Sequence, residues 1–285
     1  MKFRIPKCSG FFVCPDMIQS LHMPLMTYDE YESLDPRPKK PYPFSIQSDH
    51  NALYYFGEGH SYDPYNEQWV EEKIFWQSFL KATEGQKRIV FVEGRKRSVI
   101  NTEEQAILTD GGMGLATYLA HQEGIDTFCP EPDRTYEKNE LIKQFSKEEV
   151  QYYYFARVVG QWNRKQEPRP DFEEYINGFL ERDKNDSKWT DFDFSLNHMK
   201  EVHTVLFERD FDEHDNDFFY NVTNPVKLVT TINKVSRAST EIRDKYIVEQ
   251  IQKYMNAGYS IFIQFGATHA VMQESLLKEL FCINL

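Results

Sequence analysis

Short apolar runs that stop at glycine alternate along this chain with longer stretches in which apolar residues recur among charges. Ala52-Leu53-Tyr54-Tyr55-Phe56 is a continuous apolar run that stops at Gly57-Glu58-Gly59-His60, the pattern of a strand buried on both faces. A helix pattern follows, with Trp69, Ile74, Trp76 and Leu80 set among charged residues. Arg88 to Val92 predicts a second buried strand, closed by Glu93-Gly94. Thr102-x-x-Gln105 predicts a capped short helix. Gly111-Gly112-Met113-Gly114 opens another helix through His121, with Gly124 at its C-cap. Ile125 to Cys129 predicts a third strand, ending at Pro130-Glu131-Pro132. Strand, helix and strand in this order predict parallel pairing.

Ser146-x-x-Glu149 is a capping box, and the block from about 146 to 206 reads as a helical insertion. A helix over about 240–256 closes at Gly258, a strand follows from Tyr259 to Phe265, and a last helix covers about 272–280. Residues 1–50 read differently. The prolines between Asp35 and Pro43 remove backbone donors and fix φ, so this part reads as an extended lead-in. The expected fold is α/β, with a mixed, largely parallel sheet flanked by helices. Residues 51–285 are expected to form one domain carrying the insertion.

Composition narrows the function classes. The chain of 285 residues holds 33 Lys+Arg against 45 Asp+Glu, a formal charge of −12. That balance argues against nucleic-acid binding, which needs a basic stripe, and against a polybasic membrane-surface role. No stretch approaches the roughly 18 apolar residues of a membrane span, and no signal peptide is visible. Cys8, Cys14, Cys129 and Cys282 are too scattered for a disulfide scaffold; reduced thiols and a cytoplasmic location are the expectation.

Two segments match each other. Phe56-Gly57-Glu58-Gly59-His60 and Phe265-Gly266-Ala267-Thr268-His269 both follow apolar strand patterns and share Phe-Gly-x-x-His. From 13 glycines and 8 histidines, chance supplies about 0.4 Gly-x-x-His matches in the chain. Glycine lets the chain leave the sheet in a tight turn. The histidine then projects over the carboxyl edge of the strands, where open α/β sheets bind ligands. A lone histidine is more often structural, but matched contexts weigh against that. Glu93, at the end of the second strand, should reach the same edge. Two imidazoles and a carboxylate suit either a divalent metal (zinc, manganese or cobalt) or an activated water, with no cofactor as the alternative. Glu131 and Glu58 are weaker candidates of the same kind. Arg243 shares a helix face with Ile247, Ile251 and Tyr254, so it must snorkel, pair or meet substrate; Asp244 lies beside it.

Other motifs fail. The acidic run from Asp210 to Asp217 lacks the glycine and closing glutamate of a calcium loop. Gly111-Gly112-Met113-Gly114 lacks the spacing of a phosphate loop, and there is no Gly-x-Ser-x-Gly elbow. His198 and His203, five apart, do not share a helix face.

Taken in order, Gly57-x-x-His60, Glu93, Arg243 and Gly266-x-x-His269 resemble the Tiki/TraB superfamily, which includes erythromycin-esterase-like and ChaN-like proteins. The resemblance runs over roughly residues 50 to 285 and implies two related halves with both histidines and the glutamate around one cleft. It carries the family's functional positions onto His60, Glu93, Arg243 and His269. Tiki-like members resemble metal-dependent peptidases, erythromycin-esterase-like members hydrolyse a lactone, and ChaN-like members bind haem. Asp244 departs from the pattern, standing where an asparagine is frequent. The expected function is a hydrolase that activates a water, metal-bound or histidine-activated, to cleave a peptide, ester or lactone bond. His60, Glu93 and His269 are the expected metal set and, with Arg243, the catalytic set; Glu58, Glu131 and Asp244 are expected substrate contacts. The partner is then a small molecule or peptide. The alternative is a haem or small-ligand binding protein using the same cleft.

Overall fold

The computed structural model describes residues 7–8, 25–94, 97–165 and 168–282. The elements run β1 (Lys7–Cys8), α1 (Tyr28–Glu32), β2 (Tyr42–Ser48), β3 (Ala52–Glu58), α2 (Gln68–Ala82), β4 (Lys87–Val92), α3 (Glu103–Gln122), β5 (Thr127–Phe128), α4 (Arg134–Leu141), α5 (Lys147–Asn163), α6 (Phe172–Ser187), α7 (Leu196–Phe207), α8 (Asn216–Val222), α9 (Thr231–Asn256), β6 (Tyr259–Gly266) and α10 (Ala267–Cys282). The fold is α/β, with one mixed sheet of order β1-β2-β3-β6-β4-β5. The neighbours β3, β6, β4 and β5 pair parallel, whereas β2 runs antiparallel to β3. The chain divides into two compact units, one of residues 1–131 with 244–285 and the other of residues 132–243.

The sheet unit is layered by strand parity. Tyr54, Phe56, Val90, Val92 and Phe262 point to one face and pack with Trp76 and Phe79 of α2 and Ala116 and Ala120 of α3. Leu53, Tyr55, Ile89, Phe91, Ile261, Ile263 and Phe265 point to the other, against Ile247 and Ile251 of α9 and Ala270 and Leu277 of α10. Both faces are covered, so the strands read as unbroken apolar runs rather than alternating ones. Each such side chain removed from water contributes about 1.5–3 kcal/mol before entropy is counted.

Several expectations change. The lead-in contains β2, a paired strand, although Pro43 lies within it. Among the described residues β1 pairs with Gln47 and Ser48 of β2, away from Pro43. The third strand shrinks to two residues. The short helix opened by Thr102 and the one after Gly111 run on as α3, broken only where Gly111 turns to φ 61°. In α2 the inward face carries Trp69, Glu72, Trp76 and Phe79, while Ile74 is exposed. The helix after β6 starts at once, so His269 sits in the first turn of α10.

The helical unit is wider than the block read from about 146 to 206. It spans α4 to α8 and the first part of α9, around a core that includes Tyr152, Phe155, Ile176, Met199 and Val235. The Ser146 capping box is closed in both directions. Cys129 is in no disulfide among the described residues; Cys14, and the side chains of Cys8 and Cys282, lie outside the description. No helix among the described residues is long and apolar enough to cross a membrane.

Candidate functional site

Four parallel strands deliver the predicted residues to one edge of the sheet. His60 follows β3, His269 follows β6, Glu93 follows β4 and Glu131 follows β5, in the spatial order β3-β6-β4-β5. Pairing of Glu58 with Gly266 sets the register between the two Gly-x-x-His segments. The His60 ring lies over the end of β6. A Cβ placed on Gly266 would meet His60 Nε2 at 3.0 Å and Glu93 Oε2 at 3.7 Å, so any larger residue there would press on that ring. Gly57 is more tightly confined, 2.7 Å from Ala270 and 2.9 Å from Ala267 of α10.

Each imidazole is held from behind by a buried carboxylate. His60 Nδ1 is 2.8 Å from Glu58 Oε1, and Gln264 Nε2 donates to Glu58 Oε2 at 3.2 Å. His269 Nδ1 is 2.6 Å from Asp244 Oδ1, which also accepts from Gln273 Nε2 at 2.6 Å. Gln273 in turn accepts from the Tyr55 hydroxyl at 3.2 Å. The histidine–carboxylate–glutamine arrangement thus occurs twice, once behind each strand end. A carboxylate accepts, so Nδ1 carries the hydrogen in both rings and Nε2 keeps its lone pair in the neutral form. Glu58 and Asp244 are each 1% exposed. Both, expected as substrate contacts, lie behind the rings and hydrogen-bond to them.

The charges follow from this geometry. The hydrogen bond from Glu58 raises the His60 pKa above its ordinary value; burial opposes it, the Glu93 and Glu58 charges add to it, and a charge on His269 lowers it. The two imidazoles therefore sense each other, and protonation of one disfavours protonation of the other. Burial pushes the Tyr55 hydroxyl pKa well up, and the carboxylates of Asp244, Glu93 and Glu131 push it further.

Glu93 Oε2 accepts the Gly266 amide at 2.9 Å, and Glu131 Oε2 accepts the Gly94 amide at 3.0 Å, so both strand-end glutamates tie backbone together at this edge. Among the described residues no three His, Cys, Asp or Glu side chains are grouped to hold a metal ion. His60, Glu93 and His269 share the edge, but one glutamate oxygen is taken by backbone and the donor set of the expected metal is not assembled. Arg243 lies on α9 one residue before Asp244, at the end of the helical unit, where its charge acts on Arg157. A groove of about 680 Å³ opens beside Gly59, lined by Gln68, Val70, Glu71 and Ile74 among others.

Sequence reasoning missed Gln264, Gln273 and Glu72. Gln264 had a signal, since it is the one polar residue inside the Ile261 to Phe265 run and faces inward with Glu58. Glu72 is fully buried on α2, and neither of its oxygens has a hydrogen-bond partner. Burial pushes its pKa well above the carboxylate range, helped by the charge on Glu58. No family model matches this chain, and no curated protein or solved structure matches it either.

Proposed function

We propose that this protein is a hydrolase of the Tiki/TraB or erythromycin-esterase-like type, in which a pair of carboxylate-oriented histidines activates water against an ester, lactone or peptide carbonyl. The observation that carries the reading is the repeated pairing of an imidazole Nδ1 with a buried carboxylate at adjacent strand ends. Such a partner fixes ring and tautomer and stabilises the imidazolium that forms when Nε2 takes a proton. His269, only 12% exposed and held by Asp244, serves as the base that removes a proton from water. His60, whose proton is favoured by Glu58, serves as the acid that delivers one to the leaving group. Glu93 supports the protonated His60 by its charge. These steps use the two histidines, their carboxylates and water, and Arg243 enters none.

The test is a screen of nitrophenyl esters, lactones and peptides with the purified chain, with and without chelator, and with His60→Ala and His269→Ala. Turnover by the wild type is expected to be chelator-insensitive and to fall about 10²–10⁴-fold in each variant. The thermal midpoint of His60→Ala should barely move, since that side chain is 59% exposed. Loss of turnover with chelator and its return with zinc would reassign the activation to a metal. Turnover unchanged in both variants, or a haem Soret band with no turnover, would remove the hydrolase reading.

A further inference from the structure

The helical unit holds a separate pocket that the chemistry above does not use. It encloses about 280 Å³ among α4, α5 and α6, and its walls include Arg134, Arg157, Arg182, Tyr154, Tyr175 and Phe179. Three guanidiniums thus converge in a chain whose formal charge is −12.

Their counter-ions do not balance them. Arg134 reaches Asp183 Oδ1 at 3.3 Å, but the other Asp183 oxygen is held by the buried Lys138 at 2.7 Å, so one carboxylate serves two cations. Arg157 donates to the Tyr153 hydroxyl at 3.3 Å and closes no ion pair. Arg182 makes no hydrogen bond or ion pair among the described residues. Asp186, also in the wall and one turn further along α6, forms no ion pair with it. The Arg134 guanidinium stacks 4.6 Å over the Tyr154 ring and 5.8 Å from that of Phe179. Tyr154 and Phe179 are 2% and 6% exposed, which gives the pocket a dry aromatic wall beside its charges.

Arg157, half-buried in the wall, and Arg182, exposed at its edge, each lack an ion pair among the described residues, so their N–H donors are open to an anionic ligand. The planar fork of a guanidinium matches the oxygens of a phosphate or carboxylate, and this largely polar pocket sets the rings of Tyr154, Tyr175 and Phe179 beside its charges. We propose that this pocket binds a small aromatic anion, its phosphate or carboxylate head between Arg157 and Arg182 and its ring against Tyr154 and Phe179.

Isothermal titration of the full-length chain with phenyl phosphate and with benzoate tests this, with phenol as the neutral control. One saturable site per chain is expected for at least one anion; which anion binds more tightly identifies the head group. Affinity should fall with added salt, and should fall at least tenfold in Arg182→Gln. That substitution removes an exposed, unpaired side chain, so the thermal midpoint should stay in place. Arg157→Lys keeps the charge but loses the fork, and should weaken binding as well; if that variant does not fold, Arg182→Gln carries the test alone. The proposal is overturned if neither anion saturates, if phenol binds as tightly as the anions, or if Arg182→Gln binds like the wild type. None of these results bears on the histidine pair, whose readout is turnover.

Discussion

Glu58 reaches His60 from two residues upstream, whereas Asp244 reaches His269 from 25 residues upstream. The two imidazoles are equivalent in chemistry but not in how the chain supplies their partners. Replacing Glu58 by Gln removes the main cause of the raised His60 pKa. The His60 ring-proton titration followed by NMR should then move to lower pH, and any activity limb that requires protonated His60 should move with it. In linkage terms, a raised histidine pKa contributes stability below its ordinary value of 6.5 and loses it as pH rises through the folded value. Glu72 runs the other way in cause and has a clearer readout. Its folded pKa is raised by burial, so the unfolded chain releases its proton first and stability falls as pH rises above the ordinary 4.5. Glu72→Gln keeps the shape and cannot ionise. The variant should match the wild type in acid and exceed it in urea midpoint at neutral pH; equal midpoints at neutral pH would show that Glu72 is not held protonated.

At the scale of elements, the site depends on how closely α3 approaches the sheet. A Cβ on Gly112 would fall 1.9 Å from Glu58 Oε2 and 2.2 Å from Gln264 Nε2, both buried. Gly112→Ala must therefore push α3 off β3 and β6 or break the Glu58–Gln264 bond that steadies His60. A loss of about 1–3 kcal/mol is expected from overpacking alone, together with loss of any activity that needs His60. Equal stability by urea titration would show that the helix yields freely there. The break in α3 at Gly111 belongs to the same approach, since that residue packs against the Ser61 carbonyl on the segment leading from His60. The glycines around 111–114 look like a phosphate loop in composition but serve as a close contact between helix and strands. In α2 Ile74 belongs to the apolar pattern yet faces solvent. Periodicity alone does not say which of two stripes meets the sheet, and the stripe that does contains a buried acid.

At the scale of the whole molecule, His203 of the helical unit is shifted in the opposite sense to Glu72 of the sheet unit. In the helical unit His203 is buried among Tyr152, Phe207, Phe211 and Phe218, with Nδ1 2.6 Å from the Tyr152 hydroxyl. Burial lowers its pKa, so the unfolded chain binds a proton first and stability is lost as pH falls below the ordinary 6.5. Removing both partners together, as Tyr152→Phe with His203→Leu, avoids an orphaned hydroxyl. The double variant should flatten the acid side of the stability–pH curve, as Glu72→Gln flattens the alkaline side of its own contribution. A thermal midpoint for the double variant that falls with acid as steeply as the wild type would place that acid sensitivity elsewhere.

The strands, most helices and the Phe-Gly-x-x-His pair were legible in the sequence because strand burial and glycine turns leave local marks: apolar runs, a capping box, a chain break. Local rules also misled, as at β2, where proline disguised a strand paired with β3. What the sequence could not hold was the neighbour relation. Placement of β6 between β3 and β4, and the register that sets Glu58 beside Gly266, bring residues more than 200 positions apart into hydrogen-bond distance. That pairing buries Glu58 behind His60 with Gln264, and the packing of α9 beside α10 buries Asp244 behind His269. A side chain's role is fixed by the groups that desolvate and hydrogen-bond it, and those arrive only when strands and helices pack together.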